Sequence, residues 1–118
     1  MKKILIVITM AVMLLPTQVN AKLIDYGLMR CTAYCPCKKC SGKWGVETYS
    51  GKTAEAGRTI AVDRSVIDIG SKVKVGDHIY TAEDVGGKVI GDTIDIFFDT
   101  HEEVEEWGVK YIECWVVK

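Results

Sequence analysis

From Gly27 onward the chain alternates hydrophobic and polar positions in short runs, and only one of them has helical spacing. GLMRCTAYC, Gly27 to Cys35, carries Leu28, Thr32 and Tyr34, which favour extended backbone, and predicts a first strand ended by Pro36. In RTIAVD, Arg58 to Asp63, Ile60 and Val62 point one way and Thr59, Ala61 and Asp63 the other, as on a half-buried strand. KVKV at Lys72 to Val75 alternates again, and Gly76-Asp77 turns it into His78 to Asp84, a predicted hairpin. Thr93 to Phe98 and Val109 to Val117 complete the strands, the last with Ile112, Cys114 and Val116 on one face and Tyr111, Glu113, Trp115 and Val117 on the other. The helix spans Thr100 to Trp107: Thr100 and Glu103 match a capping box, Val104 and Trp107 share a face, and Gly108 supplies the stop. Between the first two strands, Cys37 to Gly57 has little periodicity and predicts a long loop, of the kind that is functional or held by cross-links. Six or so short strands and one short helix predict a mainly β fold, a small closed β-barrel or a compact sandwich.

The first 21 residues read differently. Lys2 and Lys3 precede an apolar run from Ile4 to Leu15, and Val19-Asn20-Ala21 has the small-x-small form of a cleavage site, so residues 1–21 are expected to be a signal peptide. The run is short for a membrane span of roughly 20 residues, and Pro16 and Gln18 interrupt it, so no stable membrane insertion is expected after cleavage. Export is then expected, to the cell exterior or cell wall. The 118 residues less those 21 leave 97, residues 22–118, enough for one domain with a single core. Without Lys2 and Lys3, the 15 basic residues fall to 13 against 16 acidic ones, and such a weakly acidic surface excludes a nucleic-acid partner held by phosphate contacts. A cell-wall polymer stays open as a partner.

Cys31, Cys35, Cys37 and Cys40 crowd into CTAYCPCKKC, and Cys114 stands alone near the C-terminus. Four thiolates this close can surround a zinc ion, but an oxidising exterior favours disulfides, which stabilise a small domain by a few kcal/mol each. Disulfides are therefore the expected state, with no metal and no cofactor. His101, in the first turn of the helix, is expected simply to be exposed.

The candidate chemistry lies in EDVGGKVIGDTIDIFF, Glu83 to Phe98. Asp95 sits between Ile94 and Ile96, where a charge is costly to bury, so the side chain should be paired or keep its proton near neutral pH. Asp84 is placed to raise it further if the two strands pair. Gly86, Gly87 and Gly91 let a bulky ligand approach the backbone. Tyr34 can stack on a sugar ring, and Thr32 and Thr53 are further candidate substrate contacts.

In order, AVD at Ala61 to Asp63, AEDVGG at Ala82 to Gly87 and IDIF at Ile94 to Phe97, after a TAYCPC strand, resemble the three-aspartate (3D) domain, whose three namesakes match Asp63, Asp84 and Asp95. The pattern is also similar to the catalytic region of the membrane-bound lytic transglycosylase A family. The resemblance implies a six-stranded double-psi β-barrel that cleaves the MurNAc–GlcNAc bond of peptidoglycan glycan strands and leaves a 1,6-anhydro end. It implies Asp95 as the acid, with Asp84 and Asp63 in the same groove as further catalytic residues. One carboxyl suffices for this reaction: it protonates the leaving oxygen, then accepts the proton of the sugar's own 6-hydroxyl as that oxygen closes on C1. The alternatives are a glycoside hydrolase with two carboxylates and a non-catalytic, expansin-like wall-binding or wall-loosening module.

Overall fold

A computed structural model describes residues 22–117. The expected signal peptide, residues 1–21, lies outside them. Six strands and two helices follow in the order β1 (Leu23–Tyr34), α1 (Lys38–Ser41), β2 (Thr59–Val62), β3 (Lys72–Val75), β4 (His78–Asp84), β5 (Thr93–Phe97), α2 (His101–Trp107) and β6 (Lys110–Val117). The strands form one closed ring, β1-β5-β2-β4-β3-β6, with β6 returning to pair with β1. Neighbours β1 and β5, and β2 and β4, run parallel, and the other four pairs are antiparallel.

The alternation read from the sequence becomes the inside and outside of the ring. Met29 and Cys31 from β1, Ile60 and Val62 from β2, Val73 and Val75 from β3, Ile94 and Ile96 from β5, and Cys114 and Val116 from β6 point inward, two to a strand. Ala82 of β4 and Ile67 of the β2–β3 turn complete this core. Burying one such aliphatic side chain contributes about 1.5–3 kcal/mol relative to exposure. The outward face is not uniformly wet: all four residues of β2 are buried, because the segment between β1 and β2 folds back over that side.

Three features depart from expectation. The first strand begins at Leu23 rather than Gly27, since Leu23, Ile24 and Asp25 pair with the end of β6. Gly27 is a bulge inside the strand: the register shifts there, its φ is +68°, and its N–H donates to Asp25 Oδ1 at 2.7 Å. The loop after β1 contains a helical turn, α1, and an isolated bridge between Glu47 and Thr53. The α2 cap forms with a variation: Thr100 Oγ1 accepts from the Glu103 N–H at 3.2 Å, while its hydroxyl donates to Glu103 Oε1 at 3.0 Å. Trp107 Nε1 donates to the Cys31 carbonyl at 3.0 Å and ties α2 to β1. Among the described residues no helix is long and apolar enough to cross a membrane.

Candidate functional site

Register across four adjacent strands places the site. Thr32 of β1 lies opposite Asp95 of β5, Asp95 opposite Ala61 of β2, and Ala61 opposite Asp84 of β4. All four therefore stand in one row, with two aspartates separated by a single alanine. β4 and β5 do not pair, contrary to the arrangement considered from sequence, because β2 runs between them. The two aspartate backbones are then two strand spacings apart, about 10 Å. Alanine at the intervening position leaves room above the sheet, and a groove of about 630 Å³ occupies it.

The groove is lined on the sheet side by Tyr34, Ala61, Asp84 and Asp95, at one end by Val85, Gly86 and Gly87, and on the loop side by residues from Cys40 to Tyr49. Asp95 is half-buried, and Thr32 donates its hydroxyl proton to Asp95 Oδ1 at 2.9 Å. Burial pushes the Asp95 carboxyl up to about 6; the Thr32 hydrogen bond opposes the rise, the Asp84 charge adds to it, and Arg30 opposes it. Ile94 and Ile96, the neighbours in sequence, point to the other side of the sheet and contribute to the core instead. The desolvation of Asp95 comes from what covers the outer face.

Asp84 is an acceptor for three donors. Tyr34 gives its hydroxyl proton to Oδ2 at 2.9 Å, and the N–H groups of Tyr49 and Val85 donate to Oδ1 at 3.1 and 2.9 Å. Asp84 thus fastens the loop at Tyr49 to the end of β4, and Tyr34 is turned toward it while packing edge-on to Phe97 at 5.3 Å. The groove holds two carboxyls of different character: one half-buried with a single hydroxyl donor, the other tied down by the backbone.

Asp63, Thr53 and Gly91 stand elsewhere. Asp63, just past β2, is not among the residues lining the groove: Oδ1 accepts from the Ser65 N–H and hydroxyl at 2.9 and 2.7 Å, and Oδ2 from Gly91 N–H at 2.8 Å. The Gly91 bond, followed by those of Ser65, lowers its carboxyl below the usual range. It ties two turns together. Thr53 bridges to Glu47 and lines a shallower depression with Lys52, Ala54, Glu55 and Arg58. Gly91 meets Asp63 rather than the groove.

Sequence reading missed Ala61, Glu47 and Ser41 as groove residues. The signal for Ala61 was present, since it shares a strand face with Asp63 and is the smallest residue there. Glu47 and Ser41 carried none, because an irregular loop has no period from which to place a side chain. The cysteines also differ from expectation. All five are free, with Cys31 and Cys114 buried in the core. Instead of pairing, Cys35, Cys37 and Cys40 turn their sulfurs toward His101, which is half-buried against them rather than exposed.

The model of the 3D domain family matches residues 58–118. Two Bacillus subtilis (strain 168) proteins are similar in sequence: the cell wall-binding protein YocH, 43% identical over 61 residues, and the putative cell wall shaping protein YabE, 38% identical over 86 residues. These matches cover 51% and 70% of this chain but only 21% and 20% of the relatives, so the chain spans about a fifth of their length. Among solved structures, MltA from E. coli superposes with a TM-score of 0.52 at 25% identity, over 62% of this chain and 27% of that one. E. coli MltA with bound chitohexaose gives 0.53 at 24% identity over the same shares, a likeness of fold alone. The order of the aspartate motifs, the MltA-like closed sheet and the match over residues 58–118 agree, and the chain belongs to the 3D domain family.

Proposed function

We propose that the chain is a peptidoglycan lytic transglycosylase acting at the cell wall, with Asp95 as its general acid and then its base. One observation carries this reading: Asp95 stands in the groove row, half-buried and hydrogen-bonded by a hydroxyl, opposite the small Ala61 that opens space above it. A carboxyl raised to about 6 keeps enough proton near neutrality to protonate a leaving glycosidic oxygen. Once ionised, the same carboxylate can take the proton of the sugar 6-hydroxyl, which is already held beside C1. Asp84, anchored by three donors, adds negative charge that favours an electron-poor C1 and holds the loop wall in place. Tyr34 and Trp44 offer aromatic surface for sugar rings, and Gly86 and Gly87 allow a glycan to lie close to the backbone. Asp63 acts in this reading through the Gly91 turn, as a positioning residue. The parallel β1–β5 and β2–β4 pairs in an otherwise antiparallel ring support assigning the double-psi barrel topology, with residues 22–118 as one domain.

Both the MltA likeness and the wall-related names of the Bacillus relatives support a wall glycan as the ligand. Those names also favour a second reading, a module that binds or reshapes wall without cleaving it. Products of a digest of purified peptidoglycan decide among the readings. Muropeptides ending in 1,6-anhydro sugars, one water lighter than reducing ends, are expected; reducing ends would mean a hydrolase, and binding without release would mean the non-catalytic module.

A further inference from the structure

A second cluster of reactive side chains lies beside the groove. The spacing CPCKKC bends three cysteines toward one point: Cys35 directly follows β1, Cys37 caps α1, and Cys40 lies within that helix. His101, the first residue of α2, arrives from more than 60 residues away in the chain. The three sulfurs and one imidazole nitrogen all lie within 4.8 Å of one another. Sγ of Cys35, Cys37 and Cys40 are 3.7, 3.6 and 3.4 Å from His101 Nδ1.

Ordinary hydrogen bonding does not account for this convergence, because Nδ1 offers either one lone pair or one N–H and three thiols surround it. A tetrahedral zinc ion does. Zn–S bonds of about 2.3 Å and Zn–N of about 2.0–2.1 Å imply S···N edges of about 3.6 Å and S···S edges of about 3.8 Å. The three S···N separations fit those edges, while the Cys35–Cys37 pair, at 3.2 Å, has to open by about half an ångström. The far side of the imidazole supplies an independent sign: His101 Nε2 is 3.3 Å from Glu105 Oε1, one turn along α2. A carboxylate that accepts Nε2–H leaves the Nδ1 lone pair facing the sulfurs, the usual arrangement behind a metal-bound histidine.

We propose that Cys35, Cys37, Cys40 and His101 bind one Zn²⁺ in a closed Cys₃His site. On binding, three thiols release their protons to solvent and the neutral imidazole coordinates through Nδ1, so the site carries a net charge of −1, beside Lys38 and Lys39 of α1. Four protein ligands leave no position for water, so the ion is structural. Its effect reaches the groove, because Cys40 and the adjacent Ser41 both line it. The ion pins the root of the loop that walls the groove to the start of α2.

The test is a metal analysis of the full chain purified under reducing, anaerobic conditions, followed by Co²⁺ titration of the stripped protein. One zinc per chain is expected, and cobalt should give the intense visible bands and near-ultraviolet charge transfer of tetrahedral thiolate ligation, displaced by Zn²⁺. Cys37→Ser with Cys40→Ser should abolish those bands, Glu105→Gln should weaken zinc binding about tenfold, and Cys114→Ala should still bind one zinc. No charge-transfer band in the wild-type titration would overturn the proposal. The wild-type titration decides even where a variant fails to fold.

Discussion

Asp95 stabilises the folded chain least where it is proposed to work. Its carboxyl rises from 3.8 to about 6 on folding, so the folded state binds this proton more tightly than the unfolded state. Stability from that proton is complete below about pH 4 and is lost as pH rises through about 6. Replacing the carboxyl by a neutral amide removes the penalty: Asp95→Asn should be more stable than wild type at pH 7.5, by about 1–3 kcal/mol, with no gain at pH 4. Thermal unfolding at the two pH values checks this, and equal melting temperatures at pH 7.5 would mean that Asp95 is not desolvated. Thr32 works in the opposite direction, since its hydroxyl favours the ionised form. In Thr32→Val the alkaline limb of kcat/KM should move up by as much as about one pH unit, and an unmoved limb would sever Thr32 from the acid. The sequence showed that Asp95 would be desolvated but suggested the wrong neighbours. Ile94 and Ile96 sit on the core side, and the side chain that meets Asp95 is Thr32 of β1, 63 positions away, which sequence adjacency does not reveal.

At the scale of elements, β2 is the spacer that creates the site. It is only four residues long, yet it lies between the strands bearing the two aspartates and puts its smallest side chain, Ala61, between them. Alternation made each strand legible, because a period of two distinguishes core from surface within four residues. It could not give the order of strands, which is set by long-range parallel pairings such as β1 with β5. The N-terminal extent of β1 was obscured by Gly27, which reads as a strand start and is a bulge. A Cβ there would meet nothing within 4 Å, so the cost of adding one is the left-handed backbone alone. Gly27→Ala should lose about 1–2 kcal/mol, seen as a lower denaturation midpoint with an unchanged m-value. No loss would mean that the bulge is not retained in solution. The β1–β2 loop resisted reading for a different reason: besides the local bridge between Glu47 and Thr53, its shape is held by Asp84 and by His101 of the cysteine–histidine cluster, both distant in sequence.

For the whole molecule, the closed ring solves two problems with one pattern. Inward positions fill a core without leaving a free sheet edge, and on the outward row Asp95, Ala61 and Asp84 become the floor of a groove facing the β1–β2 loop, while Thr32, outside the lining, reaches it only through its hydrogen bond to Asp95. The three namesake aspartates are divided by this architecture, two into the groove and Asp63 into a turn; an aspartate at a strand end often caps a turn, but that held equally for Asp63 and Asp84 and did not tell them apart. The step proposed for Asp95 is cleavage of a glycosidic bond of the wall polymer. It is tested most directly by incubating insoluble peptidoglycan with wild type and with Asp95→Asn, then weighing the released muropeptides by mass spectrometry and the bound protein by sedimentation. Anhydro-muropeptides are expected from wild type, at least a hundredfold fewer from Asp95→Asn, and equal binding by both. Equal release by the two proteins, or binding by both with no release from either, would contradict it.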